Sequence, residues 1–286
     1  MSGIKYISRA WMGCMALAVV LAGCGNSDGN RGSAVDHGPA SAGQGASNDA
    51  DQPEGQVELI VSAAASMTDA LGEIKKNYEA VHRNVAIRFN FGASGTLQKQ
   101  IEQGAPADLF LSASPKNMEP LIDKGLIDTE HEGELLSNEL VVVVPAGAKT
   151  RIDALADLAA ASVKRMAVGI PESVPAGVYA KEALSAAKLW DALQAKTVQG
   201  KDVRQVLQYV ETGNADAGFV YKTDALTSKK VSIAFAVDAA AHAPILYPAG
   251  VVKGTKQMKQ AEEFYAYLRS TEAMKVFEAF GFAAAT

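Results

Sequence analysis

The sequence predicts an α/β protein built around parallel sheets, and three observations carry the expectation. Short strand-like apolar runs alternate with amphipathic helical stretches along most of the chain. Two of those runs, Leu109-Phe110-Leu111 and Leu140-Val141-Val142-Val143-Val144, are apolar without interruption, as the buried strands of parallel sheets are. The part able to fold, residues 57–286, is long enough for one large domain or two lobes.

The chain opens on a processing signal. Lys5 and Arg9 form a positive n-region, and residues 11–22 form an apolar stretch too short to span a bilayer comfortably. It ends in Leu21-Ala22-Gly23-Cys24, which resembles the bacterial lipobox, so cleavage before Cys24 and acylation of its thiol are expected. Cys14 leaves with the signal (residues 1–23), and no thiol remains for the folded part. Such a chain can live in an oxidising compartment without disulfides. After Cys24, the stretch to residue 56 is dominated by Gly, Ser, Asn, Asp and Ala, the composition of a flexible tether. A coil of that length reaches on the order of 30 Å.

Removing the signal takes Lys5 and Arg9 from the 27 basic residues and none from the 32 acidic ones, so the net charge moves from −5 to −7. An acidic chain is a poor partner for nucleic acid and draws no anions from a distance. Any anionic ligand must therefore be bound by local dipoles.

The folded elements follow in order. Val57-Glu58-Leu59-Ile60-Val61 predicts a strand, and residues 67–81 a helix with Leu71, Ile74 and Tyr78 at helical spacing. Residues 85–91 alternate as a second strand, and residues 96–103 form a second helix closed by Gly104. Beyond the two apolar runs, Met166-Ala167-Val168-Gly169-Ile170 predicts a strand and residues 176–187 a helix. Residues 203–212 are helical, residues 217–220 a strand, and residues 261–280 a closing helix. Phe264, Tyr267, Phe277 and Phe280 of that last stretch lie at helical spacing and belong to the core.

Four strand-to-helix turns stand out for their small residues. Ser66 lies in Ala63-Ala64-Ala65-Ser66-Met67-Thr68, and Ser94 in Phe91-Gly92-Ala93-Ser94-Gly95-Thr96. The third turn is Ile170-Pro171-Glu172-Ser173-Val174-Pro175-Ala176-Gly177, and the fourth is Gly200-Lys201-Asp202-Val203-Arg204. A helix start presents unpaired N–H groups and the positive end of the helix dipole, and a serine adds a hydroxyl donor. Singly, each turn reads as an ordinary cap. Together they lie where α/β sheets bind ligands, outside the carboxyl ends of the strands.

Four motifs carry a family resemblance: Ala63-Ala64-Ala65-Ser66, Gly104-Ala105-Pro106-Ala107-Asp108-Leu109-Phe110, Val174-Pro175-Ala176-Gly177-Val178-Tyr179-Ala180-Lys181-Glu182-Ala183-Leu184 and Gly218-Phe219-Val220-Tyr221. In this order and spacing, from about residue 57 to the C-terminus, the chain resembles the periplasmic molybdate-binding proteins of ABC importers. The resemblance implies a type II periplasmic-binding-protein fold with two lobes, residues 57–140 plus 245–286 and residues 141–244. Each lobe would be a mostly parallel sheet flanked by helices, with the chain crossing twice between them and the ligand in the cleft.

The same resemblance implies the ligand set. Ser66 and Ser94 would give hydroxyl and backbone donors from the first lobe, Ala176 and Val203 backbone N–H groups from the second, and Tyr221 its phenol. Gly95 stands where some relatives carry a further serine. The implied role is a monomeric extracytoplasmic receptor, held to the membrane by lipid on Cys24, that delivers molybdate or tungstate to the permease of an ABC importer. It needs no cofactor, and the metal arrives as an oxyanion without direct metal ligands.

A cage of neutral donors suits a dianion, because desolvating one is tolerable only when each oxygen receives hydrogen bonds. It also discriminates. Monohydrogen phosphate brings a proton that finds no acceptor, and sulfate, with its shorter bonds, sits loosely in a cage sized for molybdate.

Other readings remain open on the residues alone. The cargo could be another oxyanion such as sulfate, or a small organic anion. A secreted hydrolase would use Ser66 or Ser94 as nucleophile, yet Gly92-Ala93-Ser94-Gly95 misses the G-x-S-x-G elbow and no histidine sits in a motif. His37, His82, His131 and His242 are scattered, without partners at metal-ligand spacing. Asp108 reads as a structural carboxylate bonding local backbone. Lys201 and Arg204 flank Val203 and read as a solvated face, although both could reach the ligand. Trp190, the one tryptophan left after processing, would report lobe closure if it lay near the hinge or cleft.

Overall fold

The computed structural model describes residues 55–285. The expected signal, Cys24 and all of the tether except Gly55 and Gln56 lie outside the described residues. From Val57 onward the alternation read in the sequence becomes strand and helix. In β1 (Val57–Ala64), Leu59, Val61 and Ala63 face inward with no exposure. A 3₁₀ turn (Ala65–Met67) leads into α1 (Thr68–Val81), which buries Leu71, Ile74 and Tyr78 along one face. Next come β2 (Val85–Gly92), α2 (Ser94–Glu102), β3 (Leu109–Leu111) and α3 (Pro115–Asp123). Gly104 takes φ +83° just past α2, a left-handed conformation that ends the helix as expected.

The chain then runs along β4 (Ile127–Ser137) and passes through Asn138 and Glu139 into β5 (Leu140–Pro145). The second group of elements is β6 (Met166–Gly169), α4 (Pro175–Ala186), α5 (Trp190–Leu193), β7 (Thr197–Gly200) and α6 (Val203–Glu211). It continues with β8 (Ala217–Tyr221), α7 (Lys222–Leu226) and β9 (Val231–Ala236). β10 (Leu246–Val252), α8 (Met258–Leu268), α9 (Thr271–Ala279) and β11 (Ala283–Ala284) close the chain. α6 shows the helical rule plainly, with Val203, Val206, Leu207 and Val210 buried at intervals of three and four.

Two sheets result, one per lobe. The first has the order β11-β4-β10-β3-β1-β2 and the second β7-β6-β8-β5-β9. They are mixed, which corrects the expectation of mostly parallel sheets. β1 runs parallel to β2 and β3, and β6 parallel to β7 and β8. The strands that carry the chain between lobes, β4, β5, β9 and β10, pair antiparallel with their neighbours. Helical crossovers over one sheet return strands in parallel, whereas a strand arriving from the other lobe is free of that constraint.

The single closing helix expected over residues 261–280 is two helices, because the Ser270 hydroxyl accepts the Ala273 N–H and starts α9 afresh. Phe264 and Phe277 are fully buried, and Tyr267 and Phe280 pack against the same core. Among the described residues no helix is long and apolar enough to cross a membrane.

This topology decides where chemistry can gather. Parallel strands β1, β2, β6, β7 and β8 end at Ala64, Gly92, Gly169, Gly200 and Tyr221, and the turns that follow them meet between the lobes.

Candidate functional site

The five residues Ser66, Ser94, Ala176, Val203 and Tyr221 line one narrow cleft. The first lobe also contributes Ala64, Ala65, Gly92, Ala93 and Ala113 to its wall, and the second Val174 and Pro175. The cavity measures about 10 Å³, a narrow space of about one water's size. No charged side chain lines it among the described residues. Ser94 and Ala176 have no exposure, Tyr221 1%, Ser66 3% and Val203 4%, so whatever enters loses its water.

Local sequence explains how donors come to face this space. Ser94 is the first residue of α2, and the N-cap is Ala93, which has no acceptor to offer. Ser66 lies inside the 3₁₀ turn before α1, and neither that turn nor α1 has a side-chain cap. The serines are therefore not helix caps. α4 starts at Pro175, which lacks an N–H, so Ala176 gives the helix its first donor, again with no cap from Val174. Val203 opens α6; its cap Asp202 accepts from Gln205 N at 2.8 Å and leaves the first turn's leading N–H to the cleft. Three helix starts, those of α2, α4 and α6, thus border the one cleft.

The hydroxyls are oriented by the groups behind them. The Ala113 N–H donates to Ser94 Oγ at 2.9 Å, and Ser66 Oγ lies 3.0 Å from the Tyr247 hydroxyl. Neither serine touches a base, and no described histidine lines the cleft, so the nucleophile reading of Ser66 and Ser94 has no support in the geometry. Among the described residues the buried Tyr221 hydroxyl has no hydrogen-bond partner. Burial raises its pKa well above the usual tyrosine value, so the phenol keeps its proton and can donate.

Close backbone approach shapes the walls. A Cβ on Gly177 would lie 2.1 Å from the Gly169 carbonyl oxygen, so glycine there is what lets α4 seat against β6. Gly95, where another serine was conceivable, instead donates its N–H to Ser173 O of the other lobe at 3.0 Å. A Cβ at Gly95 would lie 2.9 Å from that same oxygen.

Arg204 does not reach the cleft, and it is not the solvated face expected either. Its guanidinium pairs with Asp69 of α1, lies 2.9 Å from Asp224 Oδ1 off hydrogen-bond alignment, and donates to Thr227 Oγ1 at 3.2 Å. Two carboxylates neutralise it, and its contact with Asp69 joins the lobes. Lys116 and Glu182 make a second ion pair between lobes at 2.9 Å. Lys201 is exposed and outside the cleft wall.

Other sequence expectations change as well. Asp108 is structural, but it binds distant rather than local groups, accepting from Ile60 N at 2.6 Å and from the Thr255 hydroxyl. His131 does have metal-type neighbours, since Asp128 and Glu262 place ligand atoms within 4.8 Å of its ring nitrogen and of each other. Its Nδ1 already pairs with Asp128 at 2.8 Å. Trp190 lies under Lys181 in the second lobe and belongs neither to the cleft nor to the crossing segments. Tyr247, Asn138 and Ala113 escaped notice in the sequence, where an aromatic in an apolar run and a lone asparagine carry no signal of a site.

Comparison with known proteins agrees with this architecture. Residues 59–283 match the family model described as bacterial extracellular solute-binding protein. The chain is 55% identical over 231 residues to the "Putative ABC transporter substrate-binding lipoprotein YvgL" of Bacillus subtilis, covering 81% of this chain and 88% of that one. It is 41% identical over 233 residues to the molybdate-binding protein ModA of Haemophilus influenzae, covering 79% and 90%. The Azotobacter vinelandii periplasmic molybdate-binding protein has the same fold, with a TM-score of 0.72 at 24% identity over 80% of this chain and all of that one.

Proposed function

The chain belongs to the bacterial extracellular solute-binding proteins of the ModA group, and from that membership we propose that its interlobe cleft captures molybdate or tungstate for an ABC importer. It is a transport receptor and not an enzyme, and no cofactor is implied. Ser66, Ser94 and Tyr221 would donate through hydroxyls, with backbone N–H groups from Ala176 and Val203. The observation that carries this reading is the Tyr221 hydroxyl, buried at the cleft wall with no partner among the described residues. A buried donor left unpaired costs about 1–3 kcal/mol, and a bound oxyanion relieves it.

In this reading the lobes are residues 57–140 plus 245–286 and residues 141–244, closing on the anion as a monomer. The receptor is extracytoplasmic, and acylated Cys24 with its tether would hold it beside the permease.

Calorimetric titration with molybdate, tungstate, sulfate and phosphate tests the proposal. Molybdate and tungstate should bind tightly and the other two weakly. At about a thousand times its dissociation constant, molybdate should add about 4 kcal/mol of stability. For a domain of this size the melting temperature should rise on the order of 10 °C. Tight sulfate binding without molybdate binding would replace the cargo by another oxyanion.

A further inference from the structure

Both cleft serines have their oxygens engaged from behind, and the direction of one of those bonds can be worked out. Asn138 lies in the segment joining β4 to β5, and its Oδ1 accepts the Glu139 N–H at 2.9 Å. That bond fixes the amide's orientation, so Nδ2 is the atom that points inward. Nδ2 donates to Thr223 Oγ1 at 2.9 Å and to the Tyr247 hydroxyl at 3.2 Å. Among the described residues the other partner of Tyr247 is Ser66, at 3.0 Å. Tyr247 is 1% exposed, so its hydrogen must find an acceptor or be left unpaired in the core. Among the described residues, Ser66 Oγ is the acceptor that meets hydrogen-bond geometry with Tyr247.

We propose that Tyr247, oriented by Asn138, turns the Ser66 hydrogen towards the cleft so that Ser66 meets the ligand as a donor, and thereby disfavours oxyanions that carry a proton. The inference rests on the oxyanion-receptor reading above and names a positioning residue for it. With Tyr247 donating to Ser66 Oγ, the Ser66 hydrogen is turned to the cleft. The Ala113 N–H does the same for Ser94. Backbone N–H groups of Ala176 and Val203 cannot accept. The remaining oxygen is that of Tyr221, which could accept a ligand proton only by leaving its own hydrogen unpaired in a buried wall. A fully ionised anion satisfies every donor. A monohydrogen anion leaves one hydrogen facing another.

The test is Tyr247→Phe, which keeps the ring packed against Tyr221 and Phe282 and removes the hydroxyl. Anion affinities of the purified protein are measured by calorimetry at mildly alkaline pH, where arsenate is the monohydrogen dianion and molybdate and sulfate carry no proton. Ser66 Oγ is then free to accept. The preference for molybdate over arsenate should narrow by about tenfold or more, while the preference for molybdate over sulfate stays unchanged. Asn138→Ala, which frees the Tyr247 oxygen to accept, should narrow the arsenate gap in the same direction by less, and it carries the test if Tyr247→Phe does not fold. An unchanged arsenate gap would overturn the inference, and so would arsenate and sulfate improving together, since that is a wider cleft and not a changed polarity. Wild-type protein that binds no molybdate would refute the receptor reading itself, a result separate from either of these.

Discussion

The Ala113 N–H donates to Ser94 Oγ at 2.9 Å, so one lone pair of the serine is committed to the protein and its hydrogen is left for the cleft. A donor of this kind is strong towards an anion because its oxygen cannot turn away. Ser94→Ala should therefore weaken molybdate by about 10- to 150-fold, the equivalent of roughly 1.5–3 kcal/mol for a hydrogen bond to a charged group. It should also lower the stability of the ligand-free protein, because the Ala113 N–H loses its buried acceptor. Titration calorimetry and thermal melting read the two effects. An unchanged dissociation constant would remove Ser94 from the site.

Tyr221→Phe should separate those two effects. Its hydroxyl has no partner among the described residues, so removing it relieves a buried unsatisfied group and should raise the melting temperature measured without anion. Molybdate should nonetheless bind about 10- to 150-fold more weakly, because the same hydroxyl serves the anion. Greater stability with weaker binding marks a group kept for its ligand. A drop in ligand-free stability would mean that the hydroxyl serves the fold.

Asp224 makes stability depend on pH in a definite direction. Burial pushes its carboxyl up to about 6, against the pull of Arg204, from an ordinary value of 3.8. The folded protein thus holds the proton more tightly than the unfolded chain does. The stability this group contributes is full below 3.8 and is lost as pH rises through about 6. Asp224→Asn removes the titration. The stability of wild type relative to the variant should fall as pH is raised across that window, as followed by urea unfolding, and a difference that grows with pH would contradict the assignment.

Gly177→Ala places a Cβ 2.1 Å from the Gly169 carbonyl oxygen, where backbone and not a flexible side chain must give way. Displacing the start of α4 moves the Ala176 N–H, so the protein should lose roughly 1–3 kcal/mol of stability and molybdate affinity together. Gly72 of α1 has nothing within 4 Å of an added Cβ. Gly72→Ala should leave binding intact and stabilise by up to about 1 kcal/mol. Equal behaviour of the two variants would argue against the packing role of Gly177.

Much of this arrangement could be read before any coordinates, for reasons visible in particular residues. The periodicity of Leu71, Ile74 and Tyr78, or of Val203, Val206, Leu207 and Val210, is a local property and fixes helices locally. Small residues at the ends of β1, β2 and β6 mark turns where backbone donors stay open. Strand direction in β4, β5, β9 and β10 was not legible, because it depends on which lobe the chain is entering. The partners of the site were equally hidden. Asn138 and Tyr247 lie 109 positions apart, and Asp69 and Arg204 135, so no window of sequence contains both members of either pair. Arg204 looked like a solvated side chain because its two carboxylates come from α1 and α7 and appear beside it only in the folded molecule.

The central claim is that neutral donors from both lobes surround one metal oxyanion. Crystals grown with molybdate, measured on either side of the molybdenum absorption edge, test it most directly. One anomalous peak should appear between Ser66, Ser94, Ala176, Val203 and Tyr221, with its oxygens within hydrogen-bond reach of those donors. A peak elsewhere, such as beside Asp128, His131 and Glu262, or an empty cleft in protein shown to bind molybdate, would contradict the account.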